Sequence, residues 1–245
     1  MDNSDFRNPV NQRGASSYTG SKYTIDRWRT YQSANTVTVN SGYISQTGTQ
    51  LLQKLNPSLI DGEKTYTVAV CELDGTIHVA SGIIKNEIIG NNAICYYDTN
   101  IGYYCFAITK SGDYLWAALY EGEYTAETLP PYVPKGYTAE LLECQRYYYR
   151  SINDFSSING IIVRQAVSQW ILGDIEFPVT MRTTPTITLY SRYGTKSCIT
   201  KHSDDTDVSG VSIHYQNNAR FCVNGMNNLI KGELYFLSYE ASADL

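Results

Sequence analysis

Short runs in which apolar and polar residues alternate, cut at close intervals by Gly, Asn and Asp, recur through most of this chain. A period of two places successive side chains on opposite faces of an extended backbone, so each run suits a strand with one buried face. At this spacing the pattern specifies an antiparallel sandwich or barrel. In KTYTVAVCELDGTIHVASGII, residues 66–73 read as a strand, Asp74-Gly75 as a two-residue hairpin turn and residues 76–84 as the returning strand. The stretch NAICYYDTNIGYYCFAITKSGDYLWAALYEG predicts three more, over 93–97, 103–109 and 114–120.

ETLPPYVPKGY then breaks the pattern, because Pro130, Pro131 and Pro134 oppose regular pairing and favour an extended linker. The expected division is a first domain over 1–129, a linker over 130–137 and a second domain over 138–245. TAELLEC reads as a short helix over 138–143 with Thr138 as its N-cap; residues 58–60 are the other helical candidate. Strands are expected over 144–152, 161–167, 186–193, 197–202, 211–215, 219–223 and 233–239, so both halves are predicted to be all-β antiparallel sandwiches. No fixed short repeat, heptad or low-complexity tract supports a solenoid or a coiled-coil shaft.

The 245 residues carry a net charge of −5 and a pI near 5.2, without a basic cluster, which argues against a nucleic-acid binder. No apolar run approaches the roughly 20 residues a bilayer span needs, so membrane insertion is not expected. MDNSDFRNPVNQRG lacks the apolar heart of a signal peptide, and synthesis in a cytoplasm without classical export is expected. The six cysteines include four inside strand-like runs and have no C-x-x-C spacing, so they read as reduced core thiols. The three histidines are too dispersed for a ligand motif, and no metal or cofactor is expected.

The opening DNSDFRNPVNQRG with YTIDRWR, then LIDGEKTYTV, ALYEGEYTAETLPPY, AELLECQRYYYR, FPVTMRTTPTITLY and the terminal SYEASADL, in that order, resemble phage tail and prophage minor structural proteins. The resemblance implies a carbohydrate-binding-module-like jelly roll at the N-terminus and a C-terminal β-domain serving as a tip or oligomer contact. It also implies a place in the virion and assembly as a homo-oligomer, most commonly a trimer. The expected partners are host cell-surface glycan and other phage tail proteins, and the expected function is receptor binding without catalysis.

Flat aromatic faces that stack on a pyranose, with polar side chains for its hydroxyls, are what a sugar-binding surface needs. The hairpin ICYYDTNIGYYCF offers Tyr96, Asp98, Tyr103 and Tyr104 as candidates, and the next strand adds Tyr114 and Trp116, expected to share one face. Trp28, between Arg27 and Arg29, is expected in the core with both arginines turned away. In CQRYYYR, Tyr147 and Tyr149 should share one strand face and Arg146, Tyr148 and Arg150 the other, as candidates for an interface with another domain or subunit.

HSDDTDVSG places Asp205, Asp207 and Ser209 as in the first half of a calcium loop, but Gln216 stands where the bidentate acid belongs, and the segment reads as a solvated acidic hairpin. A polysaccharide hydrolase would need paired carboxylates, for which Glu121 with Glu123 or Asp204 with Asp207 are the candidates. A structural tail-assembly subunit is the alternative to receptor binding.

Overall fold

The computed structural model describes residues 1–152, 161–225 and 228–244. The chain divides into two compact units, Met1–Leu141 and Leu142–Leu245, both made of antiparallel strands with little helix. The division lies beyond the prolines expected to link the halves. Residues 130–137 belong to the first unit because their neighbours anchor them there. Leu129 and Tyr132 pack on a buried cluster of Ala69, Cys71, Trp116 and Ala118, and the Tyr132 hydroxyl lies 3.2 Å from the Ser4 hydroxyl.

The first unit is a sandwich of two six-stranded sheets. One, here the Trp116 sheet, runs in the order Ser17–Thr19, Thr36–Asn40, Tyr43–Thr47, Gly112–Glu121, Thr65–Glu72, Ile77–Ile83. The other, the Tyr96 sheet, runs Lys22–Tyr23, Arg29–Thr30, Leu51–Lys54, Tyr103–Ile108, Ala93–Asp98, Ile88–Ile89. The chain passes repeatedly from one sheet to the other, and their inner faces close over a single core. Val37, Ile44, Val68, Val70 and Tyr114 enter it from one side, and Leu51, Cys95, Phe106 and Ile108 from the other.

Trp28 is fully buried at this interface, edge-on to Phe6 at 5.2 Å and Phe106 at 6.1 Å, and its indole N–H donates to the Asn3 carbonyl at 2.8 Å. That meets the need of a buried indole for an acceptor. The flanking arginines do not both turn outward as alternation predicts. Arg27 has a φ of 71° and lies buried, its guanidinium donating to Asp2 at 3.1 Å and to the Lys54 carbonyl at 2.8 Å. The left-handed backbone breaks the alternation at that residue.

The hairpin Thr65–Glu72 with Ile77–Ile83 forms as expected, but its turn is one residue longer. The Glu72 amide donates to the Thr76 carbonyl at 2.9 Å, which leaves residues 73–75 as the loop with Gly75 at φ 90°. A three-residue loop with glycine in the left-handed position is the other common way to close a twisted hairpin.

In the second unit the strand Leu234–Ser242 pairs along both edges. Its first half takes Ile162–Gln165 and Cys198–Lys201, and its second half takes Tyr148–Arg150 and Thr186–Tyr190. Asp207–Ser209 extends this sheet, while Ile175–Glu176, Arg220–Asn224 and Ser212–Gln216 form a smaller one. The core between them centres on Phe177, Phe221 and Tyr239, with ring centroids 4.8–5.9 Å apart. The helix expected over 138–143 spans Tyr137–Gln145, and the Glu140 amide donates to the Gly136 carbonyl, so it begins ahead of Thr138. The strand expected from residue 144 accordingly starts only at Tyr148.

Candidate functional site

Register decides which predicted side chains meet. In the Tyr96 sheet Cys95, Phe106 and Ile108 point into the core, so the residues alternating with them face outward. Tyr96 lies opposite Cys105 and Asp98 opposite Tyr103, which places these four on the outer face. Cys105 in turn lies opposite Lys54, and Leu52 opposite Arg29, so the neighbouring strands bring two cations to the same face. Tyr31, two residues beyond Arg29, follows it and is 38% exposed.

The result is a floor of small or aliphatic side chains, Leu52, Cys105 and Ala107, packed by Ile94, Tyr96 and Ile101. Above it the guanidinium carbon of Arg29 stands 4.8 Å from the Tyr31 ring centroid and 5.5 Å from that of Tyr23, and Lys54 Nζ stands 5.9 Å from that of Tyr103. Burial, with Cys105, Asp98 and Tyr31 on the same side, pushes the Tyr96 phenol up to about 12. Burial likewise holds the Cys105 thiol at about 12, so it serves as an inert wall. Asp98 Oδ1 accepts the Asn100 amide at 2.9 Å and fixes the hairpin tip. At neutral pH the face offers half-exposed phenols, two cations and one carboxylate.

The other three candidates lie elsewhere. Tyr104 faces inward, packs on the core and fills the space over Gly62, where an added Cβ would come within 2.4 Å of its hydroxyl. Tyr114 and Trp116 do not share a face, because the register shifts between them. This bulge sends Tyr114 wholly into the core, its hydroxyl donating to the Lys110 carbonyl at 3.0 Å, and Trp116 to the outer face of its own sheet. Tyr132 covers Trp116 there, ring planes 2° apart and centroids 4.8 Å apart.

A cleft of about 240 Å³ at another part of the unit includes Asp2, Arg27, Gln53, Tyr66 and Glu121 in its lining. Its charges are already engaged, Arg27 with Asp2 at 3.1 Å and Glu121 with Lys64 at 2.7 Å.

In the second unit the CQRYYYR run is split between a helix end and a strand. Tyr149 packs inward, 5.5 Å from Tyr239, and Arg150 reaches Glu240 at 3.2 Å across the strand pair. Tyr147 and Tyr148 are both buried, Arg182 lies 5.9 Å from the Tyr147 ring, and the Arg146 carbonyl accepts the Arg182 amide. Tyr147 precedes the strand, so it is not placed by the alternation that was expected to pair it with Tyr149.

The acidic segment uses its oxygens on neighbouring side chains. Asp205 holds Arg192 at 2.8 Å and the Tyr193 hydroxyl, and Asp207 accepts the Thr200 hydroxyl at 2.7 Å. Ser209 ends the strand that Asp207 begins, so the three do not curl about a common centre. Among the described residues no group of three or more His, Cys, Asp and Glu side chains converges for a metal. Hydrogen bonds from Lys201 and Thr206 hold the Asp204 carboxyl down at about 2, the opposite of what a general acid requires.

No family, no curated protein and no solved structure matches the chain.

Proposed function

We propose that this chain is a non-catalytic saccharide-binding protein whose ligand lies across the outer face of the Tyr96 sheet. The observation that carries the reading is the meeting of Tyr31, Tyr96 and Tyr103 with Arg29, Lys54 and Asp98 over one buried floor. Phenol rings supply rigid platforms for the apolar face of a pyranose, and the charged side chains answer its hydroxyls. The resemblance of the sequence motifs to phage tail proteins gives the setting: a receptor-binding component of a tail, recognising host cell-surface saccharide. In a trimeric tip, individually weak contacts would add through effective concentration.

A glycan array followed by titration calorimetry tests the reading. Binding that falls about tenfold in Tyr96→Ala and Tyr31→Ala, equivalent to about 1.4 kcal/mol, with both variants still folded, is the expected result. Silence across the array beside tight association with another tail protein would replace it with the structural-subunit reading.

A further inference from the structure

Four arginines belong to the first unit, and three of them hold a carboxylate: Arg7 on Asp5 at 2.6 Å, Arg13 on Asp26 at 2.8 Å and Arg27 on Asp2 at 3.1 Å. Arg29 does not. It lies between Tyr31 and Tyr23, half-buried, and its Nε is enclosed with no acceptor within reach. An ionised group taken partly out of water without a counter-charge is costly, and a cation so placed gains more from an arriving oxyanion than a solvated one would. In a chain of net charge −5, Arg29 and Lys54 lie on the very face that carries the half-exposed tyrosines.

We propose, building on the saccharide-binding reading, that this face is selective for acidic saccharides, with the ring carboxylate of a uronic acid meeting the Arg29 guanidinium while the sugar lies on Tyr31 and Tyr96. One feature favours a carboxylate over a phosphodiester. The backbone amides around Arg29 are spent in strand pairing with Lys22–Tyr23 and Leu51–Lys54, so the amide cradle typical of phosphate sites is lacking. A planar guanidinium matches a carboxylate, and Asp98 at the hairpin tip is left to accept from a ligand hydroxyl.

The test is calorimetry of the full chain against three uronides (oligogalacturonate, hyaluronan oligomers and alginate oligomers), each as the acid and as its neutral methyl ester, with a glycerol-phosphate oligomer beside them. The expected result is binding of at least one acid form, about tenfold or more weakened by esterification, with Arg29→Gln weakening the acid far more than the ester, so that the variant binds the two alike. Arg29→Lys should recover part of the loss. Equal affinity for acid and ester, or tighter binding of the glycerol phosphate, overturns the proposed selectivity while the saccharide reading stands. Silence towards these uronides with binding of neutral glycans on the array overturns it in the same way, and silence towards every saccharide overturns both. Should Arg29→Gln fail to fold, the esterification series on the unaltered chain still decides the matter.

Discussion

The two sheets of the first unit carry aromatic side chains on their outer faces, and the chain treats the two faces oppositely. On the Trp116 sheet the proline-rich segment returns to lay Tyr132 flat on the indole and Leu129 beside it. On the Tyr96 sheet Tyr31 is 38% exposed and Ile89 73% exposed. A stacked aromatic pair is the same physical device whether the second ring belongs to the protein or the flat partner is a ligand, so the covered face is the pattern for the binding proposed on the other. The lesson is that aromatic content alone marks no binding site; what matters is whether the chain itself supplies the partner.

The largest effect on this comparison should come from Trp116→Ala. Removing a nearly buried indole from beneath Tyr132 is expected to lower stability by about 3–5 kcal/mol, read as an earlier loss of Trp28 fluorescence in urea, while saccharide binding by the folded protein is retained. Next is Tyr132→Ala, which keeps the indole but removes its cover and the contact with Ser4. About 2 kcal/mol should be lost, with faster proteolytic cleavage within residues 125–135. If cleavage there is unchanged, the proline-rich segment is not held by that stack. On the opposite face Tyr96→Ala should invert the pattern, with a stability loss under about 1 kcal/mol and the roughly tenfold loss of affinity set out above.

The smallest effect is one of titration. The phenols of Tyr132 and Tyr96 are each raised to about 12, chiefly by burial. A raised folded-state value means that the contribution of each is fully present below the ordinary tyrosine range near 10 and is lost as pH climbs through about 12. Tyr132→Phe should therefore move the alkaline unfolding midpoint upward slightly. Bound saccharide should raise the apparent ionisation of Tyr96 further and leave that of Tyr132 in place, as ultraviolet difference titration would show.

Much of the strand content after residue 65 was legible because alternation there is clean and glycine or asparagine marks the turns, as at Asp74-Gly75 and at Gly102, whose φ is 70°. Before it, Lys22–Tyr23 and Arg29–Thr30 are two residues long and polar, too short for a period to register, whereas Thr36–Asn40 and Tyr43–Thr47 alternate and were passed over. The candidate site was half legible. Tyr96, Asp98 and Tyr103 came from one hairpin, but alternation tells only that neighbours face apart, so Tyr104 could be assigned inward only from the core it packs against. Trp116 and Tyr114 were misplaced by a bulge that leaves no mark in the composition. Arg29, Tyr31 and Lys54 reach the face through the pairings Arg29↔Leu52 and Cys105↔Lys54, which no local pattern announces.

Four segments of the second unit, beginning as far back as Tyr148, find their edges on the single strand Leu234–Ser242. As the nascent polypeptide leaves the ribosome, those segments must wait with exposed amides until that late strand appears, which sets a slow, non-local closing step. Stalled or shortened translation products ending ahead of Leu234 would emerge as sticky, unclosed sheets, so this half of the protein should call for protection by chaperones during synthesis.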